Sequence, residues 1–145
     1  MIKSRDPLAA PATYIELTFT ATANQPYHFW MRGNAQSDKY TNDSAFVQFS
    51  EPDGTPTPGS GIGTTSALEY TLEDCGGCGE SGWGWQDNRY NGFAANIVFP
   101  QSGVHTIRIQ TREDGLSIDQ IVLSPSTYLT VAPGGLKNDT TILPR

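Results

Sequence analysis

The stretch VHTIRIQTREDGLSIDQIVL, residues 104–123, decides the fold. Residues 104–111 alternate, with Ile107 and Ile109 on one side. Alternation with period two is the pattern of a half-buried strand. His105 is read as facing solvent, opposite Ile107 and Ile109. Residues 112–115 (REDG) carry a hairpin signal, so residues 116–123 are expected to pair back on 104–111. Working outward, residues 14–20 (YIELTFT) place Ile15, Leu17 and Phe19 on one face and Glu16, Thr18 and Thr20 on the other. Residues 27–32 (YHFWMR) alternate with bulky side chains on both faces, so the second face also meets something, a loop or a ligand. Residues 45–50 and 94–99 are further strands, and 68–72 are a candidate for another. The segments 33–44, 51–63 and 73–92 are polar or Pro/Gly-rich and read as loops. No segment holds a 3.6-residue period with caps. Many short strands at about ten-residue spacing indicate an all-β antiparallel sandwich, a jelly roll rather than a βαβ fold.

Composition narrows the function. The chain has 145 residues, with 9 Lys plus Arg against 15 Asp plus Glu, a formal charge of −6. That length suits one domain with a small tail. No basic run exists to neutralise phosphates, which argues against nucleic-acid binding. No run of about eighteen apolar residues exists to cross a membrane as a helix. Residues 1–12 read as a lead-in without an apolar signal-peptide core. Residues 13–130 form the sandwich, and 131–145 a tail or linker whose 140–143 portion is a candidate edge strand.

Catalytic signatures are missing: no G-x-S-x-G, H-E-x-x-H or dinucleotide-binding glycine motif occurs. His28 is read either as a packed or stacked histidine or as part of a binding face. Glu73–Asp74 and Glu113–Asp114 are adjacent carboxylate pairs, but glycoside hydrolysis needs two carboxyls across a cleft. The reading is therefore of a protein that is not an enzyme. Asp119 shares its parity with Ile121 and Leu123, so a strict strand would turn its carboxylate inward. A lone buried charge is costly. Either a strand irregularity relieves it or Asp119 is a structural Ca2+ ligand. Cys75 and Cys78 sit among glycines in EDCGGCGE, which favours a local disulfide over free thiols or a redox or metal site. A disulfide in turn points to an oxidising, extracellular home.

The strongest local signal is SGWGWQDN, residues 81–88. Trp83 and Trp85 flank a glycine, and light packing around the rings suits an exposed platform better than a core. Pyranose C–H faces stack on such rings, while hydroxyls need amides, carboxylates or guanidinium groups at the edges. Gln86, Asp87, Asn88 and Tyr90 supply those neighbours. Tyr40, in the polar loop, and Arg112, in REDG, are added to the site. Arg112 either hydrogen-bonds vicinal hydroxyls or bridges Asp114 or Asp87. Large exposed aromatic patches mark binding surfaces.

Three longer phrases carry a resemblance: YTNDSAFVQFS at 40–50, LEDCGGCGESGWGWQDN at 72–88 and HTIRIQTREDGLSIDQIVLSPSTYL at 105–129. Together they resemble a bacterial carbohydrate-binding module of the galactose-binding-like β-sandwich type, distantly similar to the family 6 and family 35 modules and to malectin. The resemblance implies a non-catalytic jelly roll that binds a plant or microbial polysaccharide or oligosaccharide through loops at one end. It implies attachment to a larger secreted bacterial protein, at the cell surface or outside it. It places Asp119 at the position of a structural Ca2+ ligand. Relatives of this type extend before the strand at Tyr14, so an N-terminal strand is expected to be absent here, leaving an edge open to dimer formation. The alternative is a structural or protein-interaction domain.

Overall fold

The computed structural model describes residues 6–51, 60–87 and 89–145. Asn88, residues 1–5 and most of the expected 51–63 loop therefore lie outside the described residues. Among the described residues eight strands follow in chain order: β1 (Tyr14–Ala21), β2 (Pro26–Ala35), β3 (Ser44–Phe49), β4 (Leu68–Thr71), β5 (Trp83–Gln86), β6 (Ile97–Val98), β7 (Gly103–Thr111) and β8 (Leu116–Ser124). A short 3-10 turn, Gln36–Asp38, follows β2. Among the described residues no helix is long and apolar enough to cross a membrane.

The chain is all-β, with two antiparallel sheets. One sheet has the order β1-β7-β3-β4. In the other, β2 pairs with β8 along most of its length, with β5 beside Met31–Asn34 and with β6 at Pro26 and Tyr27. The core lies between the sheets: Phe29 and Met31 of β2, Val47 and Phe49 of β3, Tyr70 of β4, Ile107 and Ile109 of β7, and Phe99. Phe29 and Phe49 meet edge-on with ring centroids 6.5 Å apart. Burial of these alternating apolar side chains is the main favourable term holding two such sheets together.

Four expectations need correction. Residues 104–111 and 116–123 are strands, but they do not form a hairpin. Both edges of β7 are taken, by β1 and β3, so the chain crosses at REDG to pair β8 with β2 in the other sheet. Glu113 anchors that corner, its Oε2 accepting from Asp43 N and Ser44 Oγ. His105 is buried rather than solvent-facing. It has the same parity as Ile107 and Ile109, and it stacks against Phe19 with centroids 5.8 Å apart. The segment 73–92 is not all loop, because Trp83–Gln86 adds β5 to the second sheet. The tail contributes no strand. It crosses β5 irregularly, with Trp85 N donating to Gly135 O and Asp139 N donating to Trp83 O.

Asp119 turns on a β-bulge. Arg32 is opposite Gln120 and Gly33 is opposite Ile118, so Asp119 is the extra residue. Such an insertion flips strand parity. Leu116 and Ile118 before it, and Ile121 and Leu123 after it, all pack on the core. Asp119 itself points outward and pairs with the buried Arg32 guanidinium.

β1 is exposed in an informative way. Ile15 stands directly opposite Ile109, yet Ile15 is 51% exposed and Ile109 only 5%. Ile15 and Leu17 open onto a groove of about 610 Å³ shared with Ile118, Ile121 and Val122 of β8 and bounded by Leu143, Pro144 and Arg145 of the tail.

Candidate functional site

The Trp segment is placed by β5. Trp83 and Trp85 stand opposite Asn34 and Arg32, which puts both rings on the outer face of the second sheet. The expected open platform is not there. Trp85 is fully buried, and its Nε1 donates to the Thr141 carbonyl of the tail. Gly84, between the rings, permits this cover, because a Cβ there would lie 1.8 Å from Leu136 O. Trp83 is half-buried, with the Arg32 guanidinium 4.9 Å from its ring centroid. Arg32 also donates from Nη2 to Asp139 O. Arg32, on the second bulky face of YHFWMR, thus meets this chain's own tail, while Trp30 Nε1 on the same face donates to Tyr128 O.

Gln86 and Asp87 are likewise withdrawn from the surface. Gln86 is buried and donates from Nε2 to Asp74 Oδ1. Asp87 is a buried hub. It lies 2.9 Å from His28 Nε2 and accepts from the backbone N–H groups of Arg89 and Ala94. His28 is fully buried, with Nδ1 2.9 Å from Asn96 Oδ1 and the Phe93 ring stacked 4.2 Å away. These contacts shape residues 89–96 and present Tyr90, which is 49% exposed.

Tyr90 lines a cleft of about 600 Å³ with Ala67, Leu68, Glu69, Thr71 and Arg89. Arg112 reaches the same region by pairing its Nη2 with Glu69 Oε1 at 3.0 Å. Its Nη1 donates to Ser44 Oγ and lies 3.5 Å from Glu113 Oε1. Arg112 therefore bridges Glu69 and Glu113, not the Asp114 or Asp87 considered from sequence. Tyr40 is exposed on a separate concavity formed by residues 36–42 and Asp114.

Sequence reading missed the acidic group beside this cleft. Asp43, Glu73 and Glu80 bring carboxylate oxygens within 4.8 Å of one another. Asp43 precedes β3, Glu73 follows β4, and Glu80 lies between Cys78 and β5. Asp43 Oδ2 accepts from Thr71 Oγ1 and Glu73 N. Glu73 Oε1 accepts from the backbone N–H groups of Gly77 and Gly79, folding the cysteine loop around itself. In that loop Cys75 and Cys78 lie at disulfide-bonding distance, with Cα atoms 5.2 Å apart. Burial, then the hydrogen-bonded Glu113 carboxyl, push Asp43 up to about 6. Burial, then the charges of Asp43, Glu73 and Asp38, push Glu80 up to about 7. The available signal was an acid on either side of C-G-G-C; Asp43 could be added only by pairing β3 with β4.

Compared with known proteins, the chain matches no family model, no curated protein and no solved structure.

Proposed function

We propose that this chain is a non-catalytic carbohydrate-binding module, a galactose-binding-like jelly roll carried by a larger secreted bacterial protein. The observation that supports it is the cleft beside β4. There the half-exposed Tyr90 ring lies among Glu69, Thr71 and Arg89. A ring offers a stacking surface for a pyranose, and carboxylate, hydroxyl and guanidinium groups offer edge hydrogen bonds. The cleft's size falls in the range of small-ligand sites, roughly 300–1,000 Å³. Its described lining holds one carboxylate, Glu69, already paired with Arg112. Two opposed carboxyls would suit hydrolysis; one paired carboxylate suits binding. Calorimetric titration with a panel of soluble oligosaccharides tests the reading. Tyr90→Ala and Glu69→Gln should each weaken binding about tenfold or more. Full affinity in both variants would move the site elsewhere, and silence across the panel would remove the reading.

A second reading, a protein-interaction domain, is favoured by the groove between β1 and β8. The long edge strand β1, with Ile15 and Leu17 of its inner face half-exposed, is a template for strand pairing. The occupant we infer is a second copy of this chain. Sedimentation over a concentration series should then show a dimer that Leu17→Lys abolishes. A monomer at all concentrations would end this reading.

A further inference from the structure

We propose that Asp43, Glu73 and Glu80 form a divalent-cation site, selective for Ca2+, that ties together the start of β3, the end of β4 and the cysteine loop. The site is independent of the carbohydrate reading and is distinct from Asp119.

Glu80 carries the argument. It is 7% exposed, and neither of its carboxylate oxygens accepts a hydrogen bond from any described residue. Those oxygens belong to the cluster formed with Asp43 and Glu73. Lys137 attracts Glu80 electrostatically but makes no hydrogen bond to it, its Nζ donating to the Cys78 carbonyl. Leaving a buried carboxylate without a partner, beside two others, costs several kcal/mol. A bound cation removes that cost in one step.

Ligand chemistry selects the ion. One oxygen from each of the three carboxylates lies within 4.8 Å of the others, close enough to share one cation. Ca2+ accepts flexible, irregular oxygen shells, whereas Mg2+ demands near-ideal octahedral geometry and gives up its waters reluctantly. All-oxygen, carboxylate-rich donors suit a hard cation rather than a thiophilic one. The second contacts of the ligands are also in place. Thr71 and the Glu73 N–H orient Asp43, and the Gly77 and Gly79 N–H groups orient Glu73.

The test uses the full chain, stripped with chelator. Thermal melting with millimolar CaCl2 should rise by about 5 °C or more over the stripped protein, and MgCl2 should do less. Calorimetry should give one Ca2+ per chain. Glu80→Gln should abolish the shift while melting, without cation, no lower than the parent. Glu73→Gln keeps the oxygen that accepts from Gly77 and Gly79, and should weaken Ca2+ binding at least tenfold. Glu16→Gln, on exposed β1, removes the same charge and should keep the full shift. The proposal is overturned if the parent shows no shift with any divalent cation. It is also overturned if Glu80→Gln and Glu73→Gln bind Ca2+ as the parent does.

Discussion

The carbonyl oxygen of Leu136 occupies the space beside Gly84 so closely that a Cβ on that glycine would lie 1.8 Å from it. This contact seats the tail on β5 and closes the Trp85 ring from solvent. Gly84→Ala should therefore lift the tail. We expect a loss of about 1–3 kcal/mol in stability, the usual range for overpacking. Tryptophan fluorescence should shift to the red as Trp85 becomes wet. Unchanged emission and stability would mean that the tail is not held there in solution.

Asp87 and Tyr90 stand three residues apart and should fail in different ways. Asp87→Ala leaves His28 Nε2 and two backbone N–H groups without their acceptor. Removing one member of such a buried group costs about 3 kcal/mol or more. Trp85→Ala should also be costly, at about 3–5 kcal/mol, because it empties a filled site. Tyr90→Ala should leave denaturant stability within about 1 kcal/mol of the parent, so its loss of sugar affinity can be read as loss of contact. Urea unfolding of the three variants checks this ordering.

Acidity should stabilise the protein when chelator is present. Asp43 sits at about 6 and Glu80 at about 7, both above ordinary carboxylate values. Glu113 and Glu73 face Asp43; Asp43, Glu73, Asp38 and Lys137 act on Glu80. The folded state then binds more protons than the unfolded state between about pH 4 and about pH 7. The contribution from these two groups is complete below the unfolded values and is lost as pH rises through the folded ones. Melting temperature in chelator should fall from about pH 5 to about pH 8, less steeply in Glu80→Gln. A flat or rising profile attributable to these residues would contradict the burial of the two carboxyls.

Ile15 and Ile109 are cross-strand neighbours with unequal burial. Ile109→Ala should cost about 2–5 kcal/mol, as a core truncation does. Ile15→Ala should cost less than about 1 kcal/mol in the monomer. Chemical denaturation at low protein concentration checks both. A large Ile15 effect that appears only at high concentration would support pairing at the β1–β8 groove.

Strands were legible because their signals are local. Residues 14–20 and 104–111 show the two-residue period of an extended chain, and these segments, like 45–50 and 116–123, are strands to within a residue or so of their ends. The all-β class and the Cys75–Cys78 pairing followed from similarly local patterns. What that alternation cannot state is the partner. REDG has the composition of a hairpin turn, but β7 already pairs on both edges, so the turn became a crossover. Asp119 has core parity until a bulge, defined only by pairing with β2, reverses it. Trp83 and Trp85 carry the composition of an exposed platform until Arg32 stacks on one and a tail some fifty residues downstream covers the other. The acidic group depends on contacts between Asp43 and residues thirty or more positions away, which no spacing rule reaches. The sequence by itself therefore determined which segments are strands, since that rests on neighbouring residues and the pleat. Tertiary structure decided which faces are open, because exposure is a property of what the rest of the chain packs on top.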